Sequence, residues 1–116
     1  MSPRILLHLE GATILLLSVM FYFQQGGHWL WFILLLLAPD LSMVGYLAGP
    51  RVGSVVYNLA HIYVWPLALI LVASFTSSTL ILQLALIWSA HIGMDRMLGY
   101  GLKYPTAFKD THLQRL

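Results

Sequence analysis

The sequence predicts an all-α membrane protein, folded as an up-down bundle of four transmembrane helices. Hydrophobic residues make up 59% of the 116 positions and charged residues only 9%, and the mean hydropathy is +0.81. Soluble domains carry about 25% charged residues, so this chain has too little charge to cover a water-facing surface. The composition indicates one membrane-embedded domain over residues 1–116 and excludes a soluble globule.

Four apolar segments are long enough to cross a bilayer as helices. A helix needs about 20 mostly apolar residues to span a hydrocarbon core of about 30 Å. The segments cover residues 5–23, 29–47, 54–75 and 79–98, and a tail of residues 99–116 follows. The connectors are short and rich in turn-forming residues, so we expect consecutive helices to be antiparallel neighbours.

Lysine and arginine residues are distributed unevenly among the connectors. One precedes the first segment, one lies between the second and third, and four lie at or after the end of the fourth: Arg4, Arg51, Arg96, Lys103, Lys109 and Arg115. The other two connectors have none. The positive-inside rule therefore predicts that both termini and the middle connector face the cytoplasm.

Charge and cysteine content exclude several kinds of site. The formal net charge is +2, which is too small for a nucleic-acid-binding surface. The chain has no cysteine, so it offers neither a thiolate metal ligand nor a thiol nucleophile.

Each predicted helix carries an ionisable side chain within its apolar segment. Such residues cost about 2.5–3.5 kcal/mol each on insertion. They are Glu10, Asp40, His61, His91 and Asp95. At the helical rise per residue, all five lie about 5–11 Å from the cytoplasmic end of their segments. The shared depth predicts that they form one cluster.

The helical spacing of these residues agrees with a common cluster. His91 and Asp95 are four residues apart and project from one face of the fourth helix, and Asn58 and His61 are three apart on the third. We expect Asn58 to support the ligand side chains and Tyr57 to supply a hydroxyl group beside them that takes part in catalysis.

Two prolines predict distortions near the cluster. Pro39 directly precedes Asp40, and Pro66 lies within the third segment. Proline removes a backbone hydrogen bond and can kink a helix, which would expose carbonyl groups to a polar interior.

A cluster of carboxylates and imidazoles in a low-dielectric interior must share protons, pair with cations or bind a metal ion. Carboxylate and imidazole ligands suit Zn, Fe or Mn, and carboxylate-bridged di-metal proteins build such sites inside four-helix bundles. The Glu-x-x-His signature of those proteins is absent, so this analogy concerns architecture alone.

Three functions remain open from the sequence. The first is a metal-dependent enzyme acting on a lipid-like substrate, with divalent metal held by the five cluster residues. The second is a proton or cation relay, which as a transporter would require a homo-oligomer. The third is a polar cluster or accessory subunit that only fixes helix packing or binds a partner. Whether the chain is an enzyme is therefore undecided.

The tail is unusually rich in aromatic residues and glycine for a cytoplasmic segment. Tyr104 and Phe108 suit anchoring at the lipid headgroups. Alternatively, the tail folds back under the bundle, so that His112 closes the mouth of the cluster and acts as a ligand or as a catalytic acid or base.

The run from His91 to Tyr104, continued by Phe108 and Thr111-His112-Leu113, resembles the C-terminal signature of a family of small bacterial integral membrane proteins of unknown function. The stretches 9–11, 39–43 and Tyr57-Asn58-x-x-His61 are also similar to that family. The resemblance implies a four-span protein of the bacterial inner membrane, and it implies no activity or cofactor.

Overall fold

The computed structural model describes residues 2–102 and 111–113, and every regular element in that part of the chain is helical. Five α-helices are separated in one place by a 3₁₀ segment. The α-helices are α1 Pro3–Gln24, α2 Trp29–Leu36, α3 Pro50–Ala60, α4 Val64–Thr76 and α5 Thr79–Leu98, and the 3₁₀ segment is Ala38–Ala48.

Within the described residues, three stretches are long and apolar enough to cross a membrane. They are Pro3–Gln24, Trp29–Ala48 and Pro50–Thr76, and they correspond to the first three predicted spans. The fourth predicted span is confirmed as a helix with the expected bounds, but it is not among the three. Its crossing of the bilayer, like the orientation of the termini, stays a prediction.

The helix α5 forms the centre of the fold. Ten of its 20 residues are buried, and it packs against α1, α2 and α4. Because its neighbours cover it, α5 does not need the apolar surface of a lipid-facing helix, and it can carry polar residues that a lone span could not.

Two glycines allow α1 and α5 to approach closely. A Cβ atom added to Gly93 would lie 2.7 Å from the carbonyl oxygen of Gly11, and one added to Gly11 would lie 2.7 Å from the carbonyl oxygen of Gly93. Small residues at such crossings let the two backbones touch. This contact fixes how α1 is turned against the polar end of α5.

The second and third predicted spans are not the continuous helices that the sequence suggested. The helix α2 stops at Leu36 and gives way to the 3₁₀ segment around Pro39, and a turn at residues 61–63 separates α3 from α4 just before Pro66. A proline ring clashes with the carbonyl group four residues earlier and offers no N–H group to it. Pro39 and Pro66 therefore break the helices, after Leu36 and at residues 61–63, where only kinks were predicted.

The end of α5 turns the tail back towards the bundle. Gly99 has a left-handed backbone conformation, with φ of 95°, which glycine adopts without strain. Thr111 and Leu113 are buried, and Arg4 Nε donates to the carbonyl oxygen of Leu113 at 3.2 Å. The described part of the tail thus packs at the start of α1, while the proposed anchors Tyr104 and Phe108 lie outside the described residues.

Candidate metal centre

Four ionisable side chains from three parts of the fold meet at one point. Asp40 comes from the 3₁₀ segment, His61 from the turn between α3 and α4, and His91 and Asp95 from α5. One ligand atom of each lies within 4.8 Å of the other three. Four of the five residues predicted to cluster are therefore brought together.

The distances between these atoms are short and nearly equal. The two imidazole Nε2 atoms are 3.0 Å apart. Asp40 Oδ1 lies 3.1 Å from His91 Nε2 and 3.4 Å from His61 Nε2. Asp95 Oδ2 lies 3.3 Å from each imidazole Nε2.

The other nitrogen of each imidazole ring is already used. His61 Nδ1 donates to the carbonyl oxygen of Tyr57 at 2.8 Å, and His91 Nδ1 donates to that of Leu36 at 2.5 Å. A carbonyl oxygen only accepts, so each Nδ1 carries the hydrogen, and in a neutral ring Nε2 is then a bare lone pair. Two such lone pairs and two carboxylate oxygens face one another.

Both carbonyl groups are free to accept because the helices break beside them. In a regular helix, the carbonyl of Leu36 would accept from the N–H of Asp40, and that of Tyr57 from the N–H of His61. Instead, Asp40 N donates to Leu37 O at 3.0 Å and His61 N donates to Asn58 O at 3.1 Å. Each tightened turn releases the one carbonyl that orients a histidine.

Tyr57 supports two members of the group. Its ring stacks on the His61 ring with centroids 3.7 Å apart, and its hydroxyl donates to Asp95 Oδ2 at 3.2 Å. Asn58 contributes its backbone carbonyl to the turn at His61. Both residues lie beside the group of four and supply no atom to it.

Three members of the group are buried, and Asp40 is partly exposed. Both histidines are fully buried and the Asp95 side chain is 9% exposed, whereas the Asp40 side chain is 31% exposed. Asp40 is therefore the member of the group that is most accessible from the surroundings.

Two predicted site residues lie apart from this group. Glu10 is exposed on α1, because its neighbour Gly11 takes the position facing α5 and consecutive helical residues point about 100° apart. His112 contacts the backbone of Leu102, where its Nδ1 accepts from the N–H of Leu102 at 2.7 Å. Neither residue is part of the four-membered cluster.

Arg96 has a role near the cluster that the sequence did not reveal. It was expected at the membrane edge, yet it is buried, with 8% exposure. Its guanidinium donates to His61 O at 2.9 Å and to Tyr100 O at 3.1 Å, and the Trp88 indole donates to Ala60 O at 2.7 Å. The break after α3 leaves the carbonyls of Ala60 and His61 without helical N–H partners. Trp88 and Arg96 supply the missing donors. The sequence signal for them was a tryptophan and an arginine within the predicted fourth span.

Comparison with known proteins shows the family of the chain and nothing of its chemistry. No curated protein and no solved structure matches the sequence. A family described as a domain of unknown function, DUF4260, has a model that matches residues 4–116. Because this match covers nearly the whole chain, the protein belongs to the DUF4260 family.

Proposed function

We propose that this protein binds one divalent metal ion between Asp40, His61, His91 and Asp95 and uses it as a metal-dependent enzyme on a lipid-like substrate of the bacterial inner membrane. The observation that carries the proposal is the convergence of four lone pairs on one point, with both imidazole Nδ1 hydrogens engaged elsewhere. Neutral imidazoles in this arrangement have no hydrogen to place between them.

Charge supports a divalent cation. Two carboxylates and two neutral imidazoles sum to −2, and burying that charge unpaired is very costly. Histidine ligands of metal ions generally donate their second ring N–H to a carbonyl or carboxylate, as His61 and His91 do. The geometry thus has the outer hydrogen bonds of a metal site as well as its ligands.

The spacing of the ligand atoms favours zinc. Ligands about 2.0–2.2 Å from a tetrahedral Zn²⁺ ion are about 3.3–3.6 Å apart, close to the 3.0–3.4 Å between the imidazole nitrogens and their neighbours. Fe²⁺ and Mn²⁺ accept the same ligand types but favour more ligands than these four.

Asp40 decides what such a centre can do. His61, His91 and Asp95 would give a zinc ion the three protein ligands typical of catalytic sites, where zinc would lower the pKa of a water molecule and polarise carbonyl or phosphoryl groups. Asp40, on the exposed side, can either complete the coordination or accept a proton from water. Whether Asp40 binds the metal therefore determines whether the centre is fully coordinated by the protein or has a position for water.

The surroundings of Asp40 support an amphipathic substrate. Its neighbours Leu37 and Leu41 are 59% and 72% exposed, and an apolar cavity of about 360 Å³ adjoins Pro39. The stretch Trp29–Ala48 is apolar enough to lie in a membrane. Molecules that reach Asp40 from this side must therefore be soluble in the lipid bilayer.

Elemental analysis of the detergent-purified protein tests the proposal. We expect about one equivalent of Zn, Fe or Mn in the wild type and none in a His61→Ala/His91→Ala variant, because both nitrogen ligands are gone. His28→Asn is the matched control, since His28 caps α2 far from the cluster and asparagine is also a good cap. An absence of metal in the wild type, even after loading, would refute a metal centre and leave shared protons between the same atoms.

A further inference from the structure

A second site lies on the other side of the turn that carries His61. A cavity of about 710 Å³ is formed by α1, residues 62–63 and Leu102, and Arg96 lines it from α5. Ligand cavities usually measure about 300–1,000 Å³. None of the four candidate metal ligands lines this cavity, so it is distinct from the metal centre.

A buried, positively charged residue lines the cavity. Arg96 is 8% exposed, and two of its five N–H donors are used by the carbonyls of His61 and Tyr100. Within residues 2–102 and 111–113, no carboxylate oxygen lies within 4.0 Å of its guanidinium. A buried guanidinium of this kind is suited to binding a phosphate with its remaining donors.

A negative charge lines the same cavity. Glu10 is exposed and is the carboxylate among the described residues that line the cavity. A purely anionic head group at Arg96 would meet the repulsion of Glu10. A head group that carries a phosphate and an ammonium group would satisfy both residues.

The remaining walls are largely apolar. Leu6, Leu9 and Ile14 from α1 and Ile62 from the turn line the cavity, and Leu6 and Leu9 are about half exposed. Such a surface suits an acyl chain that lies along α1. Free phosphate would leave this part of the cavity unused.

We propose that this cavity binds a zwitterionic phospholipid, with the phosphate on Arg96, the ammonium group on Glu10 and an acyl chain against the leucines of α1. The site goes beyond the proposed metal chemistry and does not depend on it. Because Arg96 also holds the carbonyl of His61, a lipid in this cavity contacts the same side chain that secures the turn of the metal centre.

Native mass spectrometry of the full chain, delipidated and treated with a chelator, tests the proposal without any metal. We expect one molecule of dioleoylphosphatidylethanolamine to bind, dioleoylphosphatidylglycerol to bind at least fivefold more weakly, and inorganic phosphate to show no binding. Arg96→Gln should weaken phosphatidylethanolamine binding tenfold or more, whereas Arg51→Gln, at an exposed arginine outside the cavity, should leave it unchanged.

Two further variants keep the test decisive if Arg96→Gln folds poorly. Glu10→Gln should remove the preference for phosphatidylethanolamine over phosphatidylglycerol. Leu9→Trp should fill the cavity and abolish binding, while Leu16→Trp, at a residue of α1 that is 61% exposed outside the cavity, should not. Three results would overturn the proposal. They are equal binding of the two lipids in both the wild type and Glu10→Gln, unaltered lipid binding in Leu9→Trp, and binding of inorganic phosphate as tight as that of the lipid.

Discussion

At the scale of single residues, the hydrogen bond from Tyr57 tunes the candidate metal centre. Its hydroxyl donates to Asp95 Oδ2, the oxygen that lies 3.3 Å from both imidazoles. Groups that orient a ligand in this way are usually worth about 10- to 100-fold in metal affinity.

Tyr57→Phe should therefore retain the metal but weaken its binding about 10- to 100-fold. The ring stacked on His61 remains, so the fold should be unchanged. Competition with a chromophoric chelator measures the affinity. Tyr100→Phe, at a residue that is 52% exposed, is the control, and an equal effect of both substitutions would contradict a specific role for Tyr57.

His112 makes the docking of the tail sensitive to pH. Burial and the positive charge of Arg96 both lower the pKa of His112 below its ordinary value of about 6.5. The undocked tail therefore binds protons more readily than the docked tail. Docking is at full strength above the ordinary pKa and weakens as the pH falls below it.

Hydrogen exchange at residues 111–113, corrected for the intrinsic effect of pH, should show more protection at pH 8 than at pH 5. His112→Asn keeps an oxygen that can accept from the Leu102 N–H but does not titrate, so its protection should be independent of pH. A pH dependence that survives in His112→Asn would assign the effect to another group.

At the scale of elements, the two broken helices shape the candidate centre. Pro39 ends α2, and the following tightened turn leaves the Leu36 carbonyl free for His91. The break before Pro66 likewise leaves the Tyr57 carbonyl free to accept from His61. Irregular backbone at membrane depth is tolerated only where it is buried or lines a polar site, and here it lies at the polar site.

Pro39→Ala should lengthen α2 and draw the N–H of Asp40 back to the carbonyl of Leu36. His91 then loses its acceptor and Asp40 turns away, so metal affinity should fall about tenfold while helix content rises or stays equal. Chelator titration and circular dichroism measure the two effects. Pro50→Ala is the matched control, because Pro50 begins α3, where no backbone N–H is needed; the same loss in both variants would refute the explanation.

At the scale of the whole molecule, the helix α5 organises the fold around polar residues. It carries His91, Asp95 and Arg96, all buried, and the more apolar stretches pack around it. The candidate metal centre and the Arg96 cavity are therefore on two sides of one helix end.

Topology is testable at this scale because the chain contains no cysteine. Single cysteines at Ser2 and Arg51 should react with a membrane-impermeant maleimide only from the cytoplasmic side, and those at Gln25 and Ser77 only from the opposite side. This pattern follows from the positive-inside distribution of lysine and arginine and tests the first three spans, all of which precede α5. Labelling of Gln25→Cys and Ser77→Cys from different sides would contradict four antiparallel spans.

The sequence by itself determined the helical class, the bounds of α5 and the identity of four clustered residues. Apolar segment length, turn residues and the cost of ionisable groups in a membrane are local properties that the chain displays directly. Depth along each helix can be counted from one end, so Asp40, His61, His91 and Asp95 could be predicted to lie at one level.

Tertiary structure decided the direction in which each side chain points. Whether Glu10 or Gly11 faces α5 depends on how closely α1 packs against Gly93, and sequence depth carries no such information. The carbonyls that orient His61 and His91 became free because two helices break, and the Arg96 guanidinium donates to the His61 carbonyl that the second break leaves free. Contacts between segments distant in sequence, rather than local propensity, therefore set the final geometry of the site.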